Sequence, residues 1–233
     1  MPPILTIFLS ACFALSPTWG IESHDYNASD FPEAIDLGEG KYDFGGVIID
    51  RYSSTLDFEA LCNQTSGLVE YALVHRNGKV HESLFTTNIP PRWIHACFLL
   101  LRTKPFLGMF GNEAASHENT SMLRPPHEIR VLVHWESNGT RVVHPLASLV
   151  YNQISDRTLD ANPFVFTGSR TIEGIYLAQR DGSILAVYHD PDAIINSLDP
   201  DSSSDDSWVA MTSMMPPLEH KVRISLQIIR KSK

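Results

Sequence analysis

Cysteine is scarce in this chain, three in 233 residues, at Cys12, Cys62 and Cys97. If the first leaves with an export segment, the remaining pair cannot by itself hold an iron-sulfur cluster or a Cys-rich zinc site, so an iron-sulfur cofactor is not expected. Cys62 and Cys97 are left as either one disulfide or two separate thiols. Basic charge is sparse too: 18 Lys and Arg stand against 27 Asp and Glu, a net charge of -9. The cations are scattered, which disfavours a phosphate backbone, and nucleic acid is not an expected partner. Long apolar runs are missing beyond the first residues. Charges or prolines interrupt every stretch before the roughly 18 apolar residues of a membrane-spanning helix, so no transmembrane span is expected in the mature chain.

What the chain does have begins at its start. Residues 1–20 carry no acidic group, and 4–15 are nearly all apolar, the length of a signal-peptide core. Thr18 and Gly20 place small residues before a cut at Ile21, although no Lys or Arg follows Met1. The pattern predicts a signal peptide over 1–20 and an exported protein of the periplasm or cell surface. Leu9-Ser10-Ala11-Cys12 resembles a lipoprotein cleavage box. A lipid anchor at Cys12 is the weaker reading, because that cut would halve the apolar run. Residues 21–41, polar and acidic, read as a flexible leader, and 42–233 as one domain.

Within that domain, short alternating apolar segments are punctuated by Asn77-Gly78, Asn138-Gly139 and Asp181-Gly182, which suit tight hairpin turns. Residues 68–75 and 80–85 are expected to pair around the first, 129–135 and 141–145 around the second, and 175–179 and 184–188 around the third. Pro90-Pro91 after Asn88 opens an apolar helix over about 90–102, and Asp190-Pro191 a short helix to about Asn196. The predicted fold class is α+β: a mainly antiparallel, hairpin-connected β-sheet with two or three helices, one of them buried. The stretch 108–126, with His117 and Glu118, reads as a long irregular loop.

Ionisable groups on core-like elements must find partners, so the stretch from Glu70 to His95 draws attention. A hairpin register set by Asn77-Gly78 turns Glu82 to the same face as Val80 and Leu84, where a carboxylate needs a salt bridge, a metal or a proton. His81 points oppositely. His95, on the apolar helix, would complete a two-imidazole, one-carboxylate set for a divalent metal if it packs over that face. Ser83 and Ser169 stand outside any Gly-x-Ser-x-Gly elbow, which weighs against serine hydrolysis. Asp199, Asp201, Ser203 and Asp205 alternate like calcium ligands, but Ser204 and Ala210 replace the Gly and Glu that such a loop requires.

The ordered motifs Gly67-Leu68-Val69-Glu70, Gly78-Lys79-Val80-His81-Glu82-Ser83, Ile94-His95-Ala96, Phe164-Val165-Phe166-Thr167-Gly168-Ser169 and Tyr176-Leu177-Ala178 before Asp181-Gly182 resemble the YdjY-domain family of exported bacterial proteins, over about 46–229. The resemblance places Glu70, His81, Glu82, Ser83, His95, Gly168 and Ser169 in the family's motifs, and Asp190 and Asp192 more loosely. It implies a binding or accessory module of unsettled biochemistry. Glu70, Glu82 and Ser83 become candidates for chemistry, Gly168, Ser169, Asp190 and Asp192 for cofactor or ligand contact, and His81, Glu82 and His95 for metal. The rival readings are a metal-dependent hydrolase or redox enzyme built on that last set, and a calcium-stabilised surface protein built on residues 199–206.

Overall fold

Val222, Ile224, Leu226 and Ile228 alternate with Arg223, Ser225 and Gln227, and the apolar set enters the main core, the period-two pattern of a strand with one face inward. The computed structural model describes residues 28–110, 125–161 and 163–230. Its strands are β1 (Ala34–Gly38), β2 (Lys41–Phe44), β3 (Val47–Asp50), β4 (Thr55–Cys62), β5 (Tyr71–His75), β6 (Ser83–Thr87), β7 (His127–Ser137), β8 (Thr140–Pro145), β9 (Val150–Asn152), β10 (Arg157–Thr158), β11 (Phe164–Phe166), β12 (Thr171–Ile172), β13 (Ile175–Tyr176), β14 (Ser183–Ala186), β15 (Ile195–Ser197), β16 (Trp208–Ala210) and β17 (Lys221–Arg230). The helices are α1 (Pro91–Leu100) and α2 (Leu177–Asp181).

Eight strands close on themselves in the order β4-β17-β7-β11-β15-β14-β5-β6, with β6 returning to β4. Closure removes the sheet edges that an open sheet would expose. The alternating apolar residues of β4, β7 and β17 fill the interior, and β11 adds Phe164 and Phe166. Strands β1, β2 and β3 extend the wall outward from β4, and β8 flanks β7. On α1, Ile94, Cys97 and Phe98 are buried, and Phe98 stacks on Phe166 with ring centroids 4.5 Å apart.

Two seams of the barrel are parallel. β5 pairs with β6 and β14 with β15 in the same direction, so the chain must run back along the sheet in each short connection. Residues 76–82 and 187–194 do this over the outer face of β5 and β14, and there Tyr71, Val74, Ala186 and Ala193 form a second, smaller apolar cluster with Val80 against it.

The α+β expectation is therefore overturned: the described chain is mostly β, built on a closed barrel with only one helix of seven or more residues. Of the three glycine turns, only Asn138-Gly139 makes a hairpin, with φ of 51° and 74°. At Asn77-Gly78 the turn hydrogen bond runs from the Gly78 N–H to His75 O, 2.7 Å, and neither residue has positive φ. Gly78 is required for proximity: a Cβ there would lie 2.6 Å from Asp181 O and 2.9 Å from Gly182 Cα. Asp181-Gly182 ends α2, with Gly182 at φ 73° in the left-handed cap position, so β14 pairs with β5 and β15 instead of with 175–179. No helix follows Asp190, where a turn leads into β15, and Pro90 rather than Asn88 caps α1. Residues 34–41, assigned to the leader, form β1 and enter β2. The signal segment, Cys12, and His117 and Glu118 lie outside the described residues. Among the described residues no helix is long and apolar enough to cross a membrane.

Candidate functional site

Glu70 stands just before β5, and its backbone joins three segments. Its N–H donates to Glu82 O at 3.0 Å, and its carbonyl accepts from the N–H groups of Val187 and Tyr188 at 2.8 and 3.0 Å. That clamp sets the Glu70 side chain beside Glu82, which lies on a 3-10 turn at Val80–Glu82 rather than on a strand. Burial, then the charge and hydrogen bond of Glu82, push the Glu70 carboxyl up to about 6, with Asp205 adding to the repulsion and Lys79 opposing it. The neighbouring carboxyl makes ionisation of Glu70 harder.

Beside them the two crossover connections are fastened. Tyr71 Oη donates to Asp190 Oδ2 at 2.8 Å and accepts from Lys79 Nζ. The same ammonium lies 3.5 Å from Asp190 Oδ2 and 4.8 Å from the centre of the Tyr71 ring. Burial, then the carboxylate of Asp190, raise the Tyr71 phenol well above its ordinary range, so the phenol stays protonated and keeps donating. The second oxygen of Asp190 accepts from the Asp192 N–H at 2.9 Å. Asn196 continues the network, accepting from the Asp190 N–H and donating to Thr167 Oγ1, each at 2.9 Å.

The nominated residues thus divide. Glu70 and Glu82 are brought together, and Asp190 lies in the adjoining clasp. Asp192 ties the neighbouring loop, its carbonyl accepting from Ser169 Oγ at 2.6 Å and its carboxylate holding Arg170. Ser169 Oγ also accepts from the Ala178 N–H, so its hydroxyl is committed to holding α2. Gly168 has φ 85° and a Cβ there would press on Pro105 at 3.0 Å; its need is backbone geometry. Ser83 is fully buried and donates to Phe85 O at 2.9 Å.

The expected metal triad is not assembled. His81 is exposed on the 3-10 turn, Glu82 faces Glu70, and His95 lies against Phe166 with Nδ1 2.6 Å from Tyr176 Oη. Burial pushes the His95 imidazole down to about 4. Among the described residues, no group of three or more His, Cys, Asp or Glu side chains could hold a metal ion. The calcium-like loop is filled by a cation of the protein itself. Arg157 donates to both oxygens of Asp199 at 2.6 and 2.8 Å and to Asp201 at 2.7 Å, the bidentate geometry that suits a guanidinium. Cys62 and Cys97 are separate buried thiols, and burial raises Cys62 to about 11.

Tyr71, Lys79 and Arg157 were missed by sequence reasoning. A tyrosine in the apolar run 71–74 was itself a signal, since a buried phenol needs a partner; nothing local pointed to the pairing of Lys79 with Asp190 or of Arg157 with Asp199 and Asp201, which lie far along the chain. The chain matches no family model, no curated protein and no solved structure.

Proposed function

We propose that the chain is an exported, YdjY-like binding module that takes a small cationic ligand, a primary amine or guanidine, at the Glu70–Glu82 pair. The observation that carries this is the backbone clamp that sets Glu70 beside Glu82, with the Glu70 N–H on Glu82 O at 3.0 Å; burial and the second carboxyl push the Glu70 carboxyl up to about 6. A cation entering there would relieve the repulsion, favour the ionised form of Glu70 and gain charge-assisted hydrogen bonds. Asp205 adds negative charge to the same place, while the Lys79–Tyr71–Asp190 clasp holds the two connections that carry the site.

Titrations of the purified full-length chain with putrescine and with agmatine, followed by calorimetry and by thermal melts, test the reading. The expected result is saturable binding at pH 7.5 that weakens tenfold or more at pH 5 and is lost in Glu70→Gln, whose fold is checked by circular dichroism. Absence of saturable binding to either probe at pH 7.5, or binding that is equal in Glu70→Gln, overturns it.

A further inference from the structure

We infer that Asn138 is an N-glycosylation site, whereas Asn63, which carries the same sequence signal, remains unmodified in the folded protein. Asn-x-Ser/Thr is the acceptor pattern for N-linked glycans in exported chains, and it occurs here at Asn27, Asn63, Asn119 and Asn138. Asn27 and Asn119 lie outside the described residues. The two acceptors within the structure differ sharply.

Asn138 sits at the tip of the β7–β8 hairpin, with Ser137 paired to Thr140 behind it. Asn138, Gly139 and Thr140 are all exposed. The left-handed φ values of 51° and 74° at Asn138 and Gly139 belong to the turn itself, and a Cβ built on Gly139 meets nothing within 4 Å. No hydrogen bond among the described residues engages the Asn138 amide. A bulky glycan there extends into open space and leaves every ladder bond of the hairpin intact. Glu136, two residues ahead, also completes the extended Glu-x-Asn-x-Thr form that some oligosaccharyltransferases require.

Asn63 is placed oppositely. Its Nδ2 donates to Val80 O at 2.6 Å and to Ser83 O at 2.8 Å, using both amide hydrogens to tie the end of β4 to the turn that carries Glu82. Glycosylation replaces one of those hydrogens and sets a sugar against packed backbone.

The reaction is group transfer without oxidation. The Asn138 amide nitrogen bonds to the anomeric carbon of a lipid-pyrophosphate-linked oligosaccharide, the bond from that carbon to the pyrophosphate oxygen breaks, the lipid pyrophosphate leaves with the electron pair, and the amide loses one proton. An oligosaccharyltransferase of the export route supplies donor and catalysis. The inference rests on the export part of the proposed function, and not on its ligand.

The test is secretion of the full-length chain from a yeast host, followed by glycosidase release in heavy-oxygen water and peptide mass mapping. Conversion of Asn138 to labelled Asp, with Asn63 unlabelled, is expected; Thr140→Ala should lose the label at Asn138 and Thr140→Ser retain it. Secreted protein with Asn138 unlabelled overturns the inference while leaving the export reading standing. Label on Asn63 in secreted, folded protein overturns its exclusion. Failure of the chain to enter the secretory route removes the export reading, and the inference with it.

Discussion

Glu70 opposes the acid lability usual for carboxylates. Its carboxyl is raised from 4.5 to about 6 by burial and Glu82, so the fold prefers the protonated form. Its contribution is fully present below the unfolded value and is lost as pH climbs through 6; above that, ionising the group in place weakens the structure. Asp199 behaves oppositely: burial resists its ionisation, but the hydrogen bonds from Arg157 prevail and hold it below 3.8. Its contribution is present at neutral pH and disappears as the solution becomes strongly acid. Glu70→Gln should therefore be more stable than the parent at pH 7.5, by about 1 kcal/mol or less because solvent screens a half-buried pair. The advantage should shrink to nothing near pH 4.5. Urea unfolding at a series of pH values reads this directly, and a constant difference across the series would defeat it. The sequence reading put Glu82 on the core face of a strand, whereas it lies on a 3-10 turn none of whose residues is buried. The approach of Glu82 to Glu70 was not legible, because the turn at Gly78 does not impose the hairpin register that the reading assumed: β5 and β6 pair in parallel.

At the scale of elements, glycine was informative about position and misleading about purpose. Asn77-Gly78, Asn138-Gly139 and Asp181-Gly182 are alike locally, yet one is a hairpin, one a helix cap, and one a point of close approach. What separates them is tertiary: Gly78 and Gly182 face each other, and a Cβ on Gly182 would lie 2.7 Å from Gly78 Cα. Gly182→Ala combines left-handed strain of about 1–2 kcal/mol with a backbone collision that cannot relax without separating the two loops. Gly139→Ala, at nearly the same φ but in open space, incurs the strain alone. Denaturation midpoints should place Gly182→Ala at least about 2 kcal/mol below Gly139→Ala. Equal losses would show that the Gly78–Gly182 approach contributes nothing beyond φ.

Across the whole molecule, the strands with the clearest alternation around a true hairpin turn were legible: 129–135 and 141–145 were anticipated, and β7 and β8 lie there within a few residues. Closure was not, because it depends on two parallel pairings whose partners no short turn specifies. The last junction is narrow. β4 meets β6 only through Leu61–Thr86 and Cys62–Phe85, whereas β17 pairs with β4 over 221–227 and with β7 over 223–230. Asn63 reinforces the narrow junction with its two side-chain bonds, and the N–H groups of Asn63 and Gln64 both reach Leu84 O. Removing that side chain leaves two backbone acceptors without their donor. Asn63→Ala should cost about 2–3 kcal/mol and should act locally before it acts globally. Hydrogen exchange in the parent is expected to open at the amides of Asn63 and Gln64 well before those of Ile224 and Leu226. In the variant that gap should widen, since the barrel would part along β4–β6 while β17 stays clasped on both sides. Amides at 63 and 64 as slow as those at 224 and 226 would mean that the barrel opens as one unit and that the junction is not its weak line.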